Sequence, residues 1–165
     1  MNKADILTLY DYNYWANKRI LEATAQVSLE QWVAPAKVSH GSLRGALVHI
    51  LGAEVVWRLR CAEGVSPSAL PAESEFTSLG LLIQRWREEE KAMRAYLGSI
   101  QDEALHRPVR YTTTQGVPYE NILWNLLVHL VNHGTQFRAE AAVVLTEYGQ
   151  SPGDLDLLLF FREQK

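Results

Sequence analysis

His129-Leu-Val-Asn-His133 lies inside the apolar run 121–148, which contains no proline and no internal turn cluster. The run predicts one long helix. On a helix, residues i and i+4 sit about 40° apart around the axis and about 6 Å apart along it. Both imidazoles therefore leave one face at a separation suited to a single metal ion. Asn125, Gln136 and Glu140 fall in the same sector, so a polar stripe runs along an otherwise apolar helix. Leu127, Val131, Ala142 and Leu145 occupy the opposite side, which predicts a helix covered on both sides. A covered polar stripe needs partners, and a metal with its surrounding hydrogen bonds would supply them. A His pair of this spacing also arises by chance, so spacing alone leaves a plain polar network equally open. Leu130 follows His129 where a zincin carries Glu, which argues against that protease mechanism.

A chain of 165 residues has room for one domain, 1–165, with a sizeable core. Hydrophobic residues make up 47% and charged residues 21%, the balance of a water-soluble globular protein. Net charge is −3 with no basic block, so there is no electrostatic footprint for nucleic acid. A single cysteine, Cys61, cannot form an intrachain disulfide and suits a reducing, cytoplasmic setting. With no basic residue beside it in sequence except Arg60, it reads as a buried, inert thiol. No stretch has the apolar length of a signal core or a membrane span.

Residues 5–25 read as a first helix, with Ile6, Leu9, Tyr10, Tyr14, Ala16, Ile20 and Leu21 on a wide apolar arc. Asn13 and Asn17 fall near the centre of that arc. An inward i, i+4 Asn pair calls for a hydrogen-bond network, since each amide has donors and an acceptor to satisfy. Ser28-Leu-Glu-Gln31 resembles a capping box. Ser39 or Ser42 then caps a second long helix that stops before Gly64. His49 lies centrally on its apolar arc beside Gly45, Ala53 and Val56; taken alone it is a core histidine as readily as a ligand. Thr77 or Ser78 opens a third helix to about residue 97, whose charged stretch 85–91 reads as a solvated face. Residues 107–118 are β-branched and extended around Gln115-Gly116, predicting a small hairpin or extended crossover, and Pro118 suits the first turn of the last long helix. Gly149 ends that helix, and Asp154 is placed to cap a short apolar tail helix. Four long amphipathic helices with one long connection predict an all-α, antiparallel four-helix bundle.

Several segments together resemble the DinB-like (damage-inducible) metalloenzyme superfamily. GSLRGALVHILGAEVVW at 41–57 is similar to its second-helix motif, and LVHLVNHGTQFRAEAA at 127–142 to its last long helix. SPGDLD at 151–156 and Tyr14-Trp-Ala-Asn17 also match, so the likeness spans nearly the whole chain and is weakest over 63–110. The resemblance implies an up-down-down-up connection of the bundle and a homodimer. It also implies a divalent metal held by three histidines, here His49, His129 and His133. Many relatives carry another His where this chain has Phe137, a position off the centre of the ligand stripe, so the change is expected to alter the surroundings more than the metal.

Three neutral imidazoles leave a coordination position open, where a water or a thiolate would be activated. The expected function is thus a metal-dependent enzyme, resembling either a thiol S-transferase that uses a low-molecular-weight thiol or a hydrolase of a small molecule. Glu140 is the expected proton-transfer residue and Gln136 the expected orienting residue. All-nitrogen ligation does not choose among Zn, Ni, Fe, Mn and Co. The alternative is a non-catalytic dimeric stress-response or structural module whose metal is structural or adventitious.

Overall fold

Each long helix except the last begins at a side chain that caps it. In the computed structural model, which describes residues 1–164, α1 (Lys3–Thr24) starts at Asn2, and Asn2 and Asp5 bond each other's backbone N–H reciprocally. The short α2 (Leu29–Val33) has the expected Ser28/Gln31 box. Ser42 caps α3 (Leu43–Arg58) by accepting from the Gly45 N–H at 2.8 Å. The chain then widens into a π turn, Leu59–Glu63, and stops at Gly64, whose φ of 67° a side chain would resist. Ser78 caps α4 (Leu79–Ser99). Strands β1 (Pro108–Thr112) and β2 (Pro118–Ile122) form an antiparallel hairpin with Val109 opposite Asn121 and Tyr111 opposite Tyr119. It leads directly into α5 (Leu123–Glu147), and α6 (Leu157–Glu163) closes the chain.

The structure is mostly helical with this one small sheet. Helix α5 packs chiefly on α1 and α3, and α4 packs on the same two helices. One part of the core gathers Tyr10, Met93, Leu97, Leu105, Leu127 and Phe160; the other gathers Leu47, Leu51, Trp86 and Leu145. Cys61 is buried, and burial pushes its thiol up to about 12, which makes it inert. Among the described residues, no helix is long and apolar enough to cross a membrane.

Four sequence expectations need correction. Pro118 opens β2 rather than α5; it pairs with Thr112 at the end of the ladder, where its missing N–H breaks no internal bond. Asp156, not Asp154, caps α6 by accepting from the Leu158 N–H at 2.6 Å, while Asp154 accepts from the Asp156 N–H. Glu89, in the charged stretch of α4, is buried rather than solvated and accepts from Arg58 Nε at 2.6 Å. Finally, α5 is not covered on both sides. Leu127, Val131 and Leu145 are buried, but Asn125, His129 and Gln136 are exposed, and His133 and Glu140 are half-buried. Its main partners α1 and α3 cover one side of the helix, which leaves the polar stripe at the edge of the α3 contact.

The polar core lies elsewhere. Asn13 and Asn17 of α1 donate to Glu54 Oε1 of α3, both at 2.9 Å, and Trp86 Nε1 of α4 donates to Glu54 Oε2 at 2.9 Å. Arg138 Nη1 of α5 donates to the side-chain oxygens of Asn13 (2.6 Å) and Asn17 (2.8 Å). Arginine can only donate. Both Asn oxygens must therefore face Arg138, which turns both amide NH2 groups towards Glu54. Burial pushes the Glu54 carboxyl up from its ordinary value, while three N–H donors and Arg138 pull it back. Four helices are thus joined by one chain of hydrogen bonds. The Asn pair is the network its spacing predicts.

Candidate functional site

The site is built where the loop before α3 meets the middle of α5. Gly41 has a φ of 73°, Ala36 N–H donates to the Gly41 carbonyl (2.8 Å) and Gly41 N–H to the Val38 carbonyl (3.0 Å). This tight loop carries Ser39 and His40 at its tip. The His40 carbonyl rests on α3 at Gly45, where any added Cβ would overlap that oxygen. The space that Gly45 leaves near His49 is therefore filled by the loop.

One turn after Gly45, His49 reaches α5. Its Nε2 lies 3.1 Å from His133 Nε2. His40 stacks on the His49 ring, with centroids 3.7 Å apart and planes inclined by 21°. Phe137, one turn beyond His133, closes the base of the group at 4.4 Å from His49, 4.5 Å from His133 and 5.1 Å from His40. His129 stands off. Its ring centroid is 5.9 Å from His133, and it meets Trp57 edge-to-face at 5.3 Å. Trp57 in turn packs on Tyr111 of β1 and under the Arg60 guanidinium, so the hairpin borders the site.

The expected residues are therefore brought together in part. His49 and His133 touch, while among the described residues no three His, Cys, Asp or Glu side chains converge on one metal-sized point. Gln136 is exposed. Both Glu140 oxygens accept from Ser39, one from its N–H at 2.8 Å and one from its hydroxyl at 2.6 Å. His40 is the residue that sequence reasoning missed. It sits in a loop with no helical register, and only the turn at Gly41 hinted that the loop folds back.

The electrostatics are those of neutral imidazoles. Burial, then the neighbouring His40, lowers His49 to about 4 against the opposing pull of Glu140. Burial, then His49, His129, His40 and Arg138, lowers His133 to about 4. Partial desolvation lowers His40 and, beside Trp57, the more exposed His129. At neutral pH each nitrogen pair thus has one lone pair available, the form in which histidine binds a metal. Two nitrogens on one ion at about 2.05 Å are separated by about 3.3 Å in a tetrahedral shell and about 2.9 Å in an octahedral one. The His49–His133 distance of 3.1 Å falls between these values, so this pair suits a divalent ion. A groove of about 990 Å³ lies elsewhere, between α1 and α4, where Tyr14, Trp15, Trp86 and Phe161 stand among charged residues such as Asp11, Lys18, Glu90 and Arg94.

Comparison with known proteins agrees with the resemblance read from the motifs. Protein DinB of Bacillus subtilis (strain 168) is 26% identical over 159 residues, an alignment that covers 92% of each chain. A family model described as the DinB family matches residues 1–165. The chain belongs to the DinB family.

Proposed function

We propose that this protein is a divalent-metal-dependent enzyme acting on a small molecule, either a transferase using a low-molecular-weight thiol or a hydrolase. The observation that carries this is the 3.1 Å approach of two neutral imidazole nitrogens, His49 Nε2 and His133 Nε2, from different helices. His129, one turn before His133 on the same face, is the third donor. A divalent ion held there supplies Lewis acidity at an open coordination position.

The chain's own residues set the conditions. Burial keeps the imidazoles unprotonated. Phe137 and Trp57 give the site an apolar wall that limits water. Among the described residues, His133 Nδ1 is buried without a hydrogen-bond partner. Which of the two Nε2 atoms donates across the 3.1 Å contact depends on the tautomer, and holding a metal there would place both ring protons on Nδ1. Gln136, exposed on the same face, is left to orient a bound molecule, while Glu140 is engaged by Ser39.

The same proposal takes the four long helices as a four-helix bundle with an up-down-down-up connection and the protein as a homodimer. The groove between α1 and α4, which mixes Tyr14, Trp15 and the exposed Phe161 with Asp11, Lys18, Glu90 and Arg94, favours an interface on the α1 side. Sedimentation as a monomer at micromolar concentration would remove the dimer.

The experiment is metal content by plasma mass spectrometry on tag-free protein, beside a His129→Ala/His133→Ala variant. Near one equivalent of a single metal, lost in the variant, is expected. A wild-type protein that holds no metal and takes up none on titration would refute the proposal.

A further inference from the structure

Glu140 lies one turn beyond Gln136 on the ligand-bearing face of α5, yet both its oxygens are spent on one residue of a distant loop. Its two hydrogen bonds to Ser39, 2.8 Å to the N–H and 2.6 Å to the hydroxyl, span 101 residues of sequence. Both are charge-assisted, the stronger class of hydrogen bond. The loop is held from below as well, since its His40 carbonyl lies directly on Gly45. Pro35 and Ser42 close its base by an isolated bridge. Two anchors therefore fix the tip, and the tip lays His40 flat on His49 at 3.7 Å.

A metal-binding histidine is usually oriented by a hydrogen bond from its other ring nitrogen to a carboxylate or carbonyl. Among the described residues, His49 makes its side-chain hydrogen bond through Nε2 to His133. Packing takes the place of that hydrogen bond, with His40 stacked on one side of the ring and Phe137 edge-on at 4.4 Å. We propose that Ser39 and Glu140 form a clasp that holds His40 as a fourth imidazole of the site, a positioning residue that sets the ring plane of His49. Glu140 acts through Ser39 and His40, and not as a proton carrier. The effect on metal binding rests on the function proposed above; the clasp itself does not.

The test uses the full chain in two arms. In metal-free protein, amide hydrogen exchange at Ser39 reads the clasp. Protection is expected in wild type, lost in Glu140→Ala, and kept in Glu140→Gln, whose amide oxygen accepts the N–H and whose NH2 donates to the Ser39 hydroxyl. Equal protection in wild type and Glu140→Ala overturns the clasp. In the second arm, Co(II) is titrated and followed by its visible absorption. Loss of a residue that orients a ligand weakens metal binding by about 10–100-fold. That loss, with altered cobalt bands, is expected for Glu140→Ala and His40→Ala. Glu140→Gln and His40→Phe, which keep the clasp and the flat ring respectively, should bind as wild type does. Unchanged affinity and spectrum in His40→Ala overturn the positioning role. Weakened binding in His40→Phe also overturns it, because the nitrogen and not the ring plane would then matter. If wild type takes up no cobalt, the metal assignment and the positioning role both fall, and the exchange arm still decides the clasp.

Discussion

Replacing Glu54 with Ala should weaken the fold by about 3–5 kcal/mol, since three buried N–H donors lose their shared acceptor and Arg138, linked to it through Asn13 and Asn17, loses its counter-charge. The structure shows why the upper part of the usual mutational range applies. Glu54 is 3% exposed and Arg138 is 1% exposed, so water does not replace a lost partner at either. The substitution strands the N–H donors of Asn13, Asn17 and Trp86. A stranded buried donor costs about 1–3 kcal/mol, though the three do not add, because they share one acceptor group. Glu54→Gln is the sharper test. Arg138 forces both Asn NH2 groups towards Glu54, so all three neighbours donate, and a Gln NH2 meets a donor whichever way it turns. The expected loss is about 1–3 kcal/mol. Urea denaturation of metal-free protein at pH 7 reads it as a lower midpoint at constant slope. A Glu54→Gln protein within about 0.5 kcal/mol of wild type would mean that Glu54 carries a proton in the network. That result would refute the donor–acceptor order derived from Arg138.

Two further outcomes follow from the packing around the site. His49 and His133 titrate from an ordinary value of 6.5 to about 4 in the fold. Between those values the unfolded chain binds more protons than the folded one, so the stability of metal-free protein should rise from about pH 4 to about pH 6.5 and level off above. Melting temperature across that window checks this, and a slope equally steep in a His49→Gln/His133→Gln variant would contradict it. At Gly134, an added Cβ would lie 2.7 Å from Arg138 Nη1 and 2.9 Å from Asn13 Oδ1. Gly134→Ala should therefore lose about 1–3 kcal/mol from overpacking, despite the roughly 1 kcal/mol that Ala adds to a helix interior. A variant more stable than wild type by urea denaturation would show that Arg138 can move aside.

The local periodicities of the chain were enough to place its long helices, the capping box at Ser28, the next caps to within Ser39 or Ser42 and Thr77 or Ser78, an extended segment before α5, and the histidine pair of α5 on one face. All of these depend on residues within about four positions of one another, so they are written in the order of the chain. The inward Asn13/Asn17 pair was legible for the same reason, as an unusual polar pair on an apolar arc. Its partners were not. Glu54 and Arg138 each stand in an apolar sector of their own helix, Glu54 beside Ile50 and Leu51 and Arg138 beside Val131 and Gly134. A charge in such a sector marks a buried position, but nothing local says which charge it meets. The asymmetric burial of α5, the stacking of His40 on His49 and the engagement of Glu140 by Ser39 belong to the same class. They join residues 9 to 101 positions apart, through a loop without helical register. Sequence spacing placed candidate ligands on their faces; only the packing of α3 and its loop against α5 decided which of them meet.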